Sequence, residues 1–423
     1  MSEKIGRREF LTAAAAAAVA GRSVLGQEGQ QKPVRVAFVG VGGRGTGLLK
    51  RLLMLPDTTV PAICDIDESH LNRAIEIVKR TRGNTPAGFS KGPYDYRRML
   101  ERDDFDAVLV ATPVEWHARM AIDSMLAGKH AGTEVPGAYT LQECWDLVKT
   151  KEKTGKRYML FENYVYTRER MMVYKMAQAG VFGQMYYAEC SYIHYIPALQ
   201  FNSDGSLAWR GEMKANNFGN LYPTHSLGPI SKWMGIHEGD RMVSLVSMMS
   251  KPAALHDYAV RRFGADSKAA QIKFQAGDMC VTLIKTAKGR LITVHYDCLS
   301  PRPASIFYLI QGTEGVYDSR EGIHIPGKSP GHRWEPADEY REKYEHEYWR
   351  TSAAKAARSG HGGGDYFVLS DFVEMVRQDR EPLINVYDSA AWSSVTPLST
   401  ESIRRGSVSV EIPDFTNGKW KKA

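Results

Sequence analysis

Residues 34–39 read Val-Arg-Val-Ala-Phe-Val, an apolar run with the length and β-branched content of a buried strand. Gly40-Val41-Gly42-Gly43-Arg44-Gly45 follows without a gap, and Thr46 to Leu53 then places leucines at helical spacing. The alternation continues. Thr59 to Cys64 predicts a second strand, Asp106 to Thr112 another, and Ala118 to Gly128 a helix closed by glycine. Leu141 to Thr154 predicts a helix that leads into a sixth strand over 157–161. Strands alternating with helices in this way predict an α/β fold, a doubly wound parallel sheet of Rossmann type over residues 32–163.

Beyond residue 164 the period changes. Met185 to Ile193 partly alternates, and Asp278 to Ile284 and Arg290 to Tyr296 are strands joined by a Lys288-Gly289 hairpin signal. Ile306 to Gln311 predicts a further strand. This is the signature of antiparallel strands with one solvated face, so residues 164–362 are expected to form an α+β domain on an open, mainly antiparallel sheet. Residues 319–362, rich in Pro, Gly and charge, read as a long surface excursion. Helical patterns over 366–377 and 386–404 predict that residues 363–423 pack back on the first domain.

The first 31 residues follow a different logic. Arg7-Arg8 precede Phe10-Leu11, an alanine run from Ala13 to Ala18, and Gly21-Arg22-Ser23, after which Gln27 to Lys32 is a polar linker. A twin arginine before a short, weakly apolar stretch is the layout of a twin-arginine export signal. The expected partner is the twin-arginine export machinery, which carries folded proteins, and the expected location is periplasmic or extracytoplasmic.

Composition narrows the picture further. At 423 residues and 43% hydrophobic content, the chain can bury a full core without disulfides or a structural metal. No apolar run reaches the length of a permanent membrane span. The formal charge of +7 is mild, and no dense Lys/Arg run points to nucleic acid. Five cysteines form no C-x-x-C pair and no zinc spacing, so neither a disulfide framework nor a metal site is suggested.

The chemistry resides in the loops. Gly40, Gly42 and Gly45 make a G-x-G-x-x-G between strand and helix, where backbone N–H groups can meet a pyrophosphate at a helix N-terminus. Asp65 lies twenty residues after Gly45, at the end of the next strand, where a carboxylate accepts the ribose hydroxyls and repels a 2′-phosphate. That favours NAD over NADP, with Arg44 in the loop able to soften the preference. Ligands in such sheets sit at the carboxyl ends of strands, where Trp116, His117, Glu134 and Asn163 fall. In the second domain, Tyr222-Pro223-Thr224-His225 opens a helix, and His225 can take a proton from a sugar hydroxyl. Tyr222 and Tyr192 can donate hydrogen bonds or act as acid or base, and Arg210 can grip sugar oxygens.

The order of these motifs resembles the Gfo/Idh/MocA superfamily: Ala111-Thr112-Pro113 with His117, then Glu134 and Pro136 around Val135. Its ordinary dehydrogenases carry lysine, an acid/base, where this chain has Val135. A narrower resemblance is to glycoside hydrolase family 109, carried by Glu115-Trp116-His117, Glu134-Val135-Pro136, Trp209-Arg210, Ser300-Pro301-Arg302-Pro303 and the segment Gly219 to Pro229. That resemblance implies NAD contacts from Gly43, Arg44, Asp65, Val114, Glu115, Trp116, His117, Glu134, Val135 and Asn163. It implies sugar contacts from Tyr192, Arg210, Tyr222, Pro223, Thr224 and His225, with His225 and Tyr222 catalytic. Ala304 stands where the family has tyrosine, which leaves the sugar open. The activity implied is that of an NAD-dependent glycosidase acting on a small-molecule or glycan substrate, as in α-N-acetylgalactosaminidase. Its course is transient oxidation at sugar C3, elimination, water addition and re-reduction. An exported sugar oxidoreductase with net hydride transfer is the alternative; Val135 favours the first. The open sheet implies a homo-oligomer, a dimer or tetramer.

Overall fold

Continuous apolar runs need cover on both faces, and the first sheet has it. In the computed structural model, which describes residues 32–422, β1 (Val34–Val39), β2 (Thr58–Thr59), β3 (Ala62–Cys64), β4 (Ala87–Phe89), β5 (Ala107–Val110), β6 (His130–Thr133) and β7 (Tyr158–Leu160) make one parallel sheet. Their order is β4-β3-β1-β5-β6-β7, with β2 beside β1. Every residue of β3, β5 and β7 is buried. The export signal expected over 1–31 lies outside the described residues.

The strand expected over 59–64 is broken. Val60 and Pro61 separate β2 from β3, although both halves lie on the same side of β1. Pro61 has no N–H to give to a ladder, so the chain leaves the sheet there and rejoins it at Ala62.

The second sheet alternates instead. β8 (Met185–Ile193), β9 (Met242–Met249), β10 (Cys280–Thr286), β11 (Leu291–Asp297), β12 (Tyr308–Gly312), β13 (Val316–Asp318), β14 (Gly322–His324) and β15 (Val410–Glu411) run in the order β14-β13-β12-β8-β11-β10-β9-β15. Only β8 and β11 pair in parallel; every other neighbour is antiparallel. In β10, residues Cys280, Thr282, Ile284 and Thr286 are buried while Leu283 and Lys285 face out. Met248, Leu283 and Leu291 remain exposed on the outer face.

Two C-terminal features depart from expectation. The helix Val386–Arg404 is set between the sheets rather than on the first alone, and its start is fixed by an Asn385/Asp388 capping box. Ser389 meets the Tyr158 hydroxyl of β7, 3.1 Å away, while Ser402 accepts the N–H of Ser247 in β9. Asp388 in its first turn reaches the ammonium of buried Lys232 at 3.2 Å. Burial alone would raise the Asp388 carboxyl, but Lys232 and His237 hold it below the usual range. The excursion expected over 319–362 is likewise anchored. It contains the helix Glu347–Ala356, whose buried Trp349 donates its indole N–H to the Tyr166 carbonyl at 2.9 Å. A few aromatic anchors inside a charged stretch tie it down, although its average composition reads as loop.

Candidate active site

The loop after β1 is shaped by close approach. A Cβ on Gly45 would stand 2.0 Å from the Gly40 carbonyl oxygen, so only glycine lets the helix Gly43–Leu52 start this close to the strand. That helix has no side-chain cap, which leaves its first N–H groups available for an anion. Nothing lies within 4 Å of where a Cβ on Gly43 would sit. The open space belongs to a cavity of about 620 Å³ that runs from Asp65 past the glycine loop to Tyr222, a volume suited to a bound cofactor. Asp65 is held rigidly at its far end: Oδ2 accepts the Val41 N–H at 2.7 Å and Oδ1 that of Asp67 at 2.9 Å. The residues therefore fit a dinucleotide.

Arg44 does not behave as expected. Its Nε donates to Glu134 at 2.8 Å, and its two terminal nitrogens donate to both Asp365 oxygens at 2.9 Å. Burial alone would raise Asp365, but hydrogen bonds from His361 and Arg44 hold its carboxyl well below the usual carboxylate range. With its fork spent on two carboxylates, Arg44 has little left for a 2′-phosphate, and the preference for NAD rests on Asp65.

The structure brings Gly40, Gly42, Gly43, Arg44, Asp65, Trp116, His117, Glu134 and Val135 to the wall of this cavity. His117 stands there with both ring nitrogens already facing backbone carbonyls, Pro136 at 2.7 Å and Thr112 at 2.8 Å. Its ring thus joins the end of β5 to the Glu134–Pro136 segment. Val114, Glu115 and Asn163 do not line the cavity. Val114 turns into the core and Glu115 into solvent. Asn163 donates to Asp365 at 2.7 Å and keeps a buried, unpartnered Oδ1.

A second, smaller cavity of about 100 Å³ adjoins the first, and the two share Trp209, Arg210 and Tyr222. Tyr192 lines it as well. His225, 7% exposed, lines neither cavity but packs directly behind two residues that do, its ring centroid 5.1 Å from those of both Tyr192 and Tyr222. Pro223 caps the helix Thr224–Trp233, in whose first turn Thr224 and His225 are buried. The preceding loop is stitched to the helix Val386–Arg404. Asn220 gives its N–H to Ser399 at 2.9 Å, and Thr396 donates to the Asn220 carbonyl at 2.9 Å. Gly219, at φ +97°, leaves 2.6 Å between Ser399 Oγ and the place a Cβ would take.

Two further features fix the histidine. Pro229 sits inside its helix and cannot donate to the carbonyl four residues back, which is that of His225. Tyr308 of β12 donates its hydroxyl to that carbonyl instead, at 2.6 Å. The His225 Nδ1 lies 2.7 and 2.8 Å from the two oxygens of Glu162, whose side chain is fully buried. A carboxylate only accepts, so Nδ1 carries the proton and Nε2 is left as the base. Burial pushes the Tyr222 and Tyr192 hydroxyls upward. Both stay protonated near neutral pH and act as donors, so the proton acceptor of the set is His225.

Glu162, Asp365 and Lys214 belong to this region and were missed by sequence reasoning, and His194, which the sequence reads as structural, lines the smaller cavity. The signal for Glu162 was its place directly after the last parallel strand, where ligands are expected.

Comparison with known proteins agrees with this anatomy. Residues 34–162 match the oxidoreductase family with an NAD-binding Rossmann fold, and residues 166–422 match the C-terminal domain of glycosyl hydrolase 109. A glycosyl hydrolase family 109 protein of Stenotrophomonas maltophilia is 38% identical over 440 residues, 98% of this chain and 96% of that one. An alpha-N-acetylgalactosaminidase of Shewanella oneidensis is 40% identical over 411 residues, 95% of this chain and 90% of that one. In three dimensions the fold is similar to levoglucosan dehydrogenase in complex with NADH, with a TM-score of 0.68 at 18% identity over 90% of this chain and 100% of that one.

Proposed function

The chain belongs to glycosyl hydrolase family 109 and is an NAD-dependent glycosidase, and from that premise we propose that it cleaves its glycoside by elimination and re-addition around a permanently held cofactor. The observation that carries this reading is the lining of the smaller cavity. It contains three tyrosines and two cations but no Asp or Glu, whereas an ordinary glycosidase needs two carboxylates across the scissile bond. NAD, when bound, supplies reversible hydride acceptance, which acidifies the sugar proton next to the oxidised carbon.

The chain's own residues do the rest. Gly43 and the uncapped helix behind it hold the pyrophosphate, and Asp65 the adenosine ribose. His225 Nε2 takes the hydroxyl proton at the carbon being oxidised and returns it at the end of the turn. Glu162 keeps the imidazole in the tautomer that can do so. Tyr222, protonated and at the join of the two cavities, donates to a sugar oxygen, and Arg210 orients the ring. The relative named alpha-N-acetylgalactosaminidase makes such glycosides the first substrates to test. Ala304, exposed on the loop between β11 and β12, supplies neither ring nor hydroxyl to the sugar.

Export completes the reading. A twin-arginine leader sends the protein out folded, with its cofactor loaded in the cytoplasm, to a compartment without a dinucleotide pool.

Purified mature protein should yield NAD(H) on denaturation, by mass spectrometry. It should also release p-nitrophenol from aryl glycosides without added NAD and without net change in NADH absorbance. Product formation that instead tracks NADH one for one, and stops without a second carbonyl compound, would establish net oxidoreduction in its place. Replacing Arg7 and Arg8 by lysine should hold the protein in the cytoplasm, judged by fractionation. Unchanged export of that variant would sink the leader assignment.

A further inference from the structure

The helix Trp209–Asn216 carries a lysine that the glycosidase reading does not use. Lys214 is 2% exposed, and its backbone carbonyl is pinned by the N–H groups of Gln275 and Ala276 at 3.1 and 3.0 Å. Its ammonium donates to the Tyr296 hydroxyl at 2.6 Å, and among the described residues no carboxylate oxygen comes within 4.0 Å. The contrast with Lys232 is instructive. That lysine is equally buried but holds Glu238 and Asp388, both at 3.2 Å. Buried cations are ordinarily paired in this way, because an isolated one forfeits its hydration with nothing in return. Burial pushes Lys214 below the ordinary lysine range, whereas the carboxylates around Lys232 outweigh burial and raise it.

The surroundings of Lys214 are cationic as well. Arg210 sits one helical turn earlier, and both line the smaller cavity. Arg210 has no carboxylate within 4.0 Å among the described residues. The nearby acids are already engaged: Asp297 accepts the N–H groups of Leu299 and Ser300, and Asp278 those of Ala253 and Ala254. Gln200 adds a fully buried Oε1 with no hydrogen-bond partner in the same wall. A small, half-open pocket with two cations free of carboxylate partners and a spare acceptor, whose lining residues Tyr192 and Tyr222 pack on His225, suits an anion with a hydroxyl next to it. Resting on the glycosidase reading, we infer that the substrate is a glycoside whose sugar carries an anionic substituent, a carboxylate or a sulfate, paired with Lys214 and Arg210.

The test compares matched sugars on the NAD-loaded enzyme. Aryl glycosides of hexuronic acids, of sulfated hexoses and of the corresponding neutral hexoses are assayed for kcat/KM. Calorimetry with the methyl glycosides gives affinity independently of turnover. An anionic sugar, of one class or the other, is expected to exceed its neutral counterpart by about 100-fold in kcat/KM, and Lys214→Met should shrink that ratio by about 30-fold or more. The two arms distinguish carboxylate from sulfate. Equal or better use of the neutral sugars, or a ratio untouched by Lys214→Met, overturns the inference. Should the variant not fold, the calorimetric preference of the unaltered enzyme decides. If no glycoside is cleaved, the glycosidase reading fails, and calorimetry still shows whether the pocket selects an anion.

Discussion

Replacing His225 by alanine is expected to leave the NAD content of the protein unchanged while turnover falls by about 10²–10⁴-fold, the usual contribution of a positioned acid or base. The imidazole does not line the dinucleotide cavity, so its loss should not empty it. The three residues that the two cavities share, Trp209, Arg210 and Tyr222, include no base. The two tyrosines beside it are kept protonated by burial. Mass spectrometry of the denatured variant together with steady-state rates on the best aryl glycoside checks both halves. A variant with normal turnover would remove His225 from the mechanism, and one that is inactive because it lacks NAD would make it a cofactor residue.

Glu162→Gln is expected to lower kcat by about 100-fold or more with little change in KM. Glutamine keeps the volume but can present either an oxygen or an NH₂ to Nδ1, and in the second case the proton moves to Nε2, leaving the base facing the wrong way. The charge that steadies the imidazolium during the proton's stay is also lost. Glu162 acts through His225 rather than on the sugar, so two further readouts separate positioning from mere packing. The downfield resonance of an imidazole N–H bonded to a carboxylate should vanish in Glu162→Gln, and Glu162→Asp should recover part of the rate. A fall in stability with the resonance and kcat intact would reduce Glu162 to a buried structural acid.

Much of this architecture was legible along the chain because it is written locally. The run from Val34 to Val39, the glycines that follow and the acid at Asp65 are close in sequence and by themselves state a strand, a turn and a carboxylate at the edge of the cavity. The switch from continuous to alternating apolar residues near β8 gave the second sheet and its single solvated face. What stayed hidden are pairings with no local pattern. Glu162 and His225 are 63 residues apart, and Arg44 and Asp365 are 321 apart. Nothing in Lys-Ala-Asn announces that Lys214 is interior, since an isolated lysine within a polar helix reads as solvated. His117 lay where a ligand residue belongs, but two carbonyls, Thr112 five residues before it and Pro136 nineteen after, had claimed its ring. The break at Pro61 was readable, and was overridden by the apolar residues on either side.

The carbonyl that Pro229 leaves without a helical partner has a wider meaning. Because a phenol on β12 takes it up, the height of His225 is measured from the sheet beneath and not from its own helix. Tyr308 is in register with Cys190 of β8, and Tyr192 stands two positions farther along that same strand. His225 and Tyr192, the proposed proton carrier and sugar-facing aromatic, are therefore surveyed from a common baseline, the paired strands β8 and β12.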